Sequence, residues 1–225
     1  MPVLDGHVSG QAWTVVIPVK RLTHAKSRLG ETSLPTAALA RAFATDVLDS
    51  VGACAAVHEV IVATADPDVA ELAQACGAGV VDDAGHDGIN AAVTAAVGTL
   101  DIVTAIAVLV SDLPRLTTAA LDHALAAGQG HDTSFIADLA GTGTTLWMAE
   151  SSTRMPPAFG SDSRRHHRAA GAVDLVDVLG ADFSARVITA RCDVDTPADL
   201  LDPRLPPLRP HTRALLEQTQ ARDGQ

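Results

Sequence analysis

Apolar and polar positions along this chain fall into two alternating kinds of block. Short runs rich in β-branched residues recur at 13–18, 57–63, 80–81, 102–110, 133–137 and 146–149. Such runs, bounded by Gly, Pro, Asp and Ser, predict strands. Between most of them the apolar residues are spaced three and four apart. In 34–51, Leu39, Phe43, Val47 and Leu48 share one helical face. The same spacing predicts helices over 67–76, 89–100 and 117–127. Segment 102–110 is the most apolar run and is expected to be a central strand. Strands alternating with helices of about ten residues predict a single α/β domain, with a mostly parallel central sheet and helices on both faces.

Local punctuation refines this outline. Pro18 closes the first strand because it has no N–H to give to a ladder. Asp66 is placed to cap a helix that has Pro67 at its first position. After Asp138 the alternation becomes irregular. A turn at 141–145 (GTGTT) leads into the strand at 146–149, and 156–163 is a loop. Residues 164–179 read as a helix with a break at Gly171, and 186–190 as a late strand. Residues 203–210 are proline-rich and extended, with a short terminal helix after them. The expected organisation is therefore a loose N-terminal extension over 1–11, one domain over 12–202, and a C-terminal extension over 203–225.

Composition narrows the classes of function. The 225 residues are 47% hydrophobic but only 3% aromatic, so Ala, Val and Leu must build the core. The net charge of −11 argues against general nucleic-acid binding, which needs a basic surface. Cys54, Cys76 and Cys192 are odd in number and form no CxxC, so neither a disulfide framework nor a zinc site is indicated. Cys54 and Cys76 are expected in the core. No apolar run approaches the ~20 residues of a membrane span, and residues 1–11 lack a signal-peptide layout. The expected location is the cytoplasm.

Against this acidic background one stretch stands out. The first strand runs into Lys20, Arg21, His24, Lys26 and Arg28, with the hydroxyls of Thr23 and Ser27 among them. A strand feeding a cationic loop ahead of a helix suits a phosphate site, and also suits a solvated basic face. Neither GxGxxG nor GxxxxGK[ST] is present. Asp112 directly follows the 102–110 strand, where ligand sites of open parallel sheets lie, and serves either a cation or a turn. Asp193 and Asp195 sit two apart, on one face if extended, and would repel without a cation or base between them. Either Asp195 or Thr196 can also cap a helix beginning at Pro197. The glycine and hydroxyl stretches at 141–145 and 159–163 suit ordinary turns or an anion nest. Trp13 and Trp147 flank strands and read as packing.

PVKRLTHAKSRL at 18–29 resembles the signature of the guanylyltransferases of deazaflavin coenzyme (coenzyme F420) biosynthesis, relatives of the molybdenum-cofactor nucleotidyltransferases. Four later segments are similar in the same order: DGIN at 87–90, SDLPRLT at 111–117, the GTGTT and FGSDS pair, and DVDTPADL at 193–200. The resemblance implies a Rossmann-like nucleotidyltransferase fold and transfer of GMP from GTP, with Mg²⁺, to a small phosphorylated acid. Phosphoenolpyruvate, 2-phospho-L-lactate and 3-phosphoglycerate are the candidate acceptors. By the same resemblance Lys20, Lys26 and Arg28 act on the triphosphate, and Ser27 and Asn90 help bind the nucleotide. Thr145, Gly160 and Ser163 bind the acceptor, some of the 164–168 cations meet its carboxylate, and Asp112, Asp193 and Asp195 hold the metal. The pathway's downstream transferase is a conceivable protein partner. A sugar-nucleotide-dependent glycosyltransferase and a non-catalytic nucleotide-binding subunit are the alternatives.

Overall fold

The computed structural model describes residues 12–22, 36–83, 88–100, 104–152 and 157–223. Its strands are β1 Trp13–Pro18, β2 Val57–Ala63, β3 Gly79–Val81, β4 Ala105–Leu109, β5 Thr133–Ala137, β6 Thr144–Ala149 and β7 Val173–Asp174. They form one sheet in the order β3-β2-β1-β4-β6-β5-β7. β1 pairs in parallel with β2 and β4, β2 with β3, and β5 with β7. β6 runs against both of its neighbours, β4 and β5. The sheet is thus mostly parallel, as the alternation predicts, with one reversed strand delivered by the tight 138–143 turn.

The helices are α1 Thr36–Gly52, α2 Pro67–Ala75, α3 Ile89–Val97, α4 Thr118–Gly128, α5 Ser163–Ala169, α6 Leu175–Arg186, α7 Pro197–Leu201 and α8 Pro210–Asp223. Among the described residues none is long and apolar enough to cross a membrane. The two-residue period of each strand divides the core between the sheet faces. Val15, Ile17, Ala107 and Leu109 face one cluster with Val47, Val51, Leu121 and Leu125 of α1 and α4. Val16, Ile106 and Val108 face the other with Ala92, Val93 and Ala96 of α3. Helices therefore cover both faces. Trp13 and Trp147 are buried, as packing requires.

Local signals hold where they are self-contained. The Asp66 carboxylate accepts from the amides of Asp68 and Val69 and caps α2. Three expectations fail. Residues 186–190 end α6 and then form a 3-10 helix at Ile188–Ala190. The outer edge of β5 is already paired with β7, so the β-branched segment has no ladder there and buries Val187 and Ala190 instead. The expected helix 164–179 breaks near Gly171 (φ 89), but beyond the break the chain first adds β7 to the sheet. Cys76 is exposed at the end of α2, whereas Cys54 is buried.

The C-terminal segment is docked on the domain. Asp46, fully buried on α1, accepts from the His211 amide (2.9 Å) and from the Thr212 amide and hydroxyl (2.9 and 2.6 Å). A buried carboxylate thus meets the amides that the first turn of α8 leaves unpaired, at the positive end of its dipole. Leu208, Leu215 and Leu216 pack against Leu39 and Phe43 beside it.

Candidate active site

The carboxyl ends of β1, β4 and β5 share one edge of the sheet, and the candidate residues collect there. Lys20 follows β1 and is exposed. Asp112 lies just beyond β4, the neighbour of β1, and Asp138 directly follows β5. Residues 190–194 are laid across this edge from β5 to β4. The Thr145 hydroxyl donates to Ala190 O (2.6 Å), and the Leu139 amide to Arg191 O (2.9 Å). The Arg191 side chain, itself buried, donates to Ala137 O and Asp138 O, both at 2.9 Å. At the far end the Val194 amide donates to Asp112 O (3.0 Å). This strap carries Asp193 into the company of the other acids.

The electrostatics report that company. Burial first, and then the negative charges of Asp112, Asp138 and Asp195, together raise the Asp193 carboxyl from 3.8 to about 7. Desolvation and like charge both disfavour the ionised form. The arrangement is one of hard oxygen donors carrying surplus negative charge, the chemistry that suits a divalent cation. Among the described residues no three acidic, His or Cys side chains close on one point as a formed metal site. Asp195 is exposed at the start of α7. The cap of that helix is a reciprocal pair, Thr196 with Asp199, which resolves the choice between Asp195 and Thr196 in favour of Thr196.

Asp138 is a member that the sequence reading missed. Its two carboxylate oxygens accept from the amides of Thr142 (2.9 Å) and Gly143 (2.8 Å) and so shape the GTGT turn. A Cβ on Gly143 would lie 2.5 Å from that carboxylate, so the glycine is needed for the approach. The available signal was an aspartate ending a strand just before a glycine-rich turn, the pattern of a side chain that bonds its own following backbone.

The two expected acceptor loops are neighbours. The Arg164 amide donates to Thr142 O (3.2 Å), and its side chain to Gly141 O (3.1 Å). Gly160 has φ 129, and Asp162 adopts a left-handed φ of 56 just ahead of α5. Ser163, the first residue of α5, is buried, and its amide donates to Gly160 O (3.1 Å). His167 clasps this region from below. Its Nε2 accepts from the Ala158 amide (2.8 Å), so Nδ1 carries the proton shared with the Thr144 hydroxyl (2.9 Å). The rings of Phe135 and Phe159 enclose it.

Three assignments from the resemblance meet different surroundings. Thr145 is 1% exposed and its hydroxyl donates to Ala190 O, so it pins the strap. The Asn90 amide is spent at both ends on one peptide: its nitrogen donates to Phe159 O (2.9 Å) and its oxygen accepts from Phe159 N (2.8 Å). It fastens α3 to the loop at Phe159. Arg164 and Arg168 both pair with the buried Asp174, and Arg168 also with Asp177, so their charges are met within the protein.

Comparison with known proteins identifies the lineage. The pattern of the family described as "Guanylyl transferase CofC like" matches residues 13–204. The chain belongs to that family. A phosphoenolpyruvate guanylyltransferase from Thermomonospora curvata is 40% identical over 204 residues, covering 89% of this chain and 86% of that relative. Another, from Streptomyces coelicolor, is 42% identical over 194 residues, covering 84% and 88%. Among solved structures, a protein described as a nucleotide-diphospho-sugar transferase from Desulfovibrio desulfuricans G20 has the same fold. It gives a TM-score of 0.64 at 19% identity, with 94% of this chain and 96% of that chain covered.

The described part of the basic loop ends at Leu22. The Leu22 amide donates to Asp66 Oδ2 (2.8 Å), so the carboxylate that caps α2 also anchors the loop's first turn. Lys26, Ser27 and Arg28 lie outside the described residues.

Proposed function

We propose that this chain transfers GMP from GTP to the phosphate of phosphoenolpyruvate, releasing pyrophosphate and forming enolpyruvyl-diphospho-guanosine, as a step of deazaflavin coenzyme biosynthesis. The observation that carries the reading is the strap. It brings Asp193 and Asp195 to the edge where Asp112 lies just beyond β4, one strand away from the exposed Lys20 after β1. Within a family of guanylyl transferases, that is where a triphosphate and its counter-charges belong.

An acceptor phosphate oxygen attacks the α-phosphorus of GTP as the bond to the pyrophosphate leaving group breaks. The acceptor oxygen is already anionic near neutral pH, so no general base is required. Catalysis then rests on alignment and on neutralising charge. Lys20, with Lys26 and Arg28 of the same loop, grips the triphosphate and offsets the charge that builds on the departing pyrophosphate. Ser27 adds a hydroxyl to that grip. The Gly160 and Ser163 turn receives the acceptor, with the GTGT turn beside it. Thr145 acts by pinning the strap that carries Asp193. Asp112, Asp193 and Asp195 would hold Mg²⁺, which when bound supplies the positive charge that lets two anionic phosphates approach. Asn90 supports both substrates indirectly, by fixing the acceptor loop to α3.

2-Phospho-L-lactate and 3-phosphoglycerate present the same phosphate and carboxylate, so selectivity is a matter of measured rates. The protein is incubated with GTP, Mg²⁺ and each acceptor in turn, alone and with the downstream transferase, and products are identified by mass. The expected result is a guanosine diphosphate-linked adduct and one pyrophosphate per turnover, fastest with phosphoenolpyruvate. Absence of an adduct with all three acceptors, or turnover of sugar nucleotides without pyrophosphate, overturns the proposal.

A further inference from the structure

We propose that Arg115 is a positioning residue that sets the separation between Asp112 and the Asp193–Asp195 pair. The inference rests on the reading of those three aspartates as the metal ligands and concerns a residue that touches none of the reactants. Arg115 lies three residues after Asp112 and is 3% exposed. Its Nη2 donates to Leu200 O (2.9 Å) and Asp199 O (3.3 Å), and its Nη1 donates to Pro206 O. Leu200 and Asp199 belong to α7, the helix that Asp195 leads into. One guanidinium therefore ties the loop bearing Asp112 to the helix following the aspartate pair, and both to the C-terminal segment.

The brace is doubled by backbone bonds on each side of it. The Val194 amide reaches Asp112 O (3.0 Å), and the Arg209 amide reaches Pro114 O (2.8 Å). Residues 206–209 are held in turn by α8, which Asp46 anchors to α1. The apolar contacts of this region, Val194 and Leu200 against Leu39 and Phe43, are non-directional and tolerate sliding. A planar fork directed at carbonyls of two segments does not. α7 has five residues and little stability of its own, so its place depends on what holds its ends. A guanidinium on its last carbonyls supplies partners that a helix C-terminus otherwise lacks. Lysine cannot replace it fully, because a single ammonium is a point charge without the fork.

The test is binding of Mn²⁺ alone, without nucleotide, read from the electron paramagnetic resonance of the free ion. It compares the parent with Arg115→Met, Arg115→Lys, Asp112→Asn and Val69→Ala. The last removes buried volume on α2, away from the aspartates, and is a control for general destabilisation. Asp112→Asn is expected to abolish binding. Arg115→Met should raise the Mn²⁺ Kd on the order of tenfold to a hundredfold, as loss of groups that orient metal ligands does. Arg115→Lys should fall between it and the parent. Val69→Ala should melt lower yet bind as the parent does. If the parent binds no Mn²⁺, or Asp112→Asn binds it as well as the parent does, the metal reading fails and the inference with it. If Asp112→Asn loses Mn²⁺ while both Arg115 variants bind like the parent, the metal reading stands and the positioning role is overturned. Should Arg115→Met not fold, Arg115→Lys decides alone.

Discussion

His167 offers a quantitative test of how the loops around Thr144 and Ala158 are held. Burial, and secondarily the neighbouring His166, lowers its pKa from 6.5 to about 4. The geometry gives the same answer, because Nε2 accepts the Ala158 N–H and a second ring proton would break that bond. Between those two pH values the unfolded chain binds a proton that the folded one refuses. Stability is therefore full above pH 6.5 and is lost as the pH falls toward 4. At about 1.36 kcal/mol per pH unit the whole effect is about 3 kcal/mol, and roughly 2 kcal/mol of it is lost by pH 5. His167→Gln keeps an acceptor within reach of the Ala158 amide but cannot titrate. The measurement is urea unfolding of parent and variant at pH 7 and pH 5. Asp193, raised to about 7, contributes with the opposite sign, but it is common to both proteins and cancels in the difference. The parent should lose roughly 2 kcal/mol more than the variant on going to pH 5. Equal losses would show that His167 is not held neutral, and the clasp described here would be refuted.

Asp195→Asn should lose pyrophosphate release while melting no lower than the parent in EDTA, because removing one of several crowded carboxylates relieves repulsion; a well-lowered melting point with activity retained would make Asp195 structural. Thr145→Val leaves Ala190 O without its hydroxyl partner and should cost about 1–3 kcal/mol in denaturant unfolding, with turnover falling as the strap loosens. Ser163→Ala should raise the KM of the acceptor more than that of GTP; the reverse order in steady-state kinetics would misplace the acceptor pocket. Asp46→Asn puts an amide donor against donors at the start of α8 and should cost roughly 2–3 kcal/mol of stability by urea unfolding.

What this sequence determines by itself is whatever is settled within a few residues. Periodicity places β1, β2 and β5, Asp66 and Pro67 announce α2, and the class of sheet follows from the alternation. Asp112 is legible as a residue ending a strand, and the aspartate pair as two carboxylates that need a reason to sit together. The tertiary structure decides who meets whom. Asn90 finds the Phe159 peptide 69 residues away, Arg115 reaches α7 85 residues on, and Asp46 receives α8 across 166. Residues 186–190 have the composition of a strand, yet β7 takes the open edge of β5 and turns them into the lead-in to a strap. Thr145 looks like a ligand hydroxyl until Ala190 O comes to lie against it, and Asp138 looks like an ordinary turn residue until Asp193 is laid beside it. Capping and periodicity act through bonds that close within one turn of chain. A buried hydrogen bond goes to whichever partner the packed sheet brings within about 3 Å, and no local pattern encodes that choice.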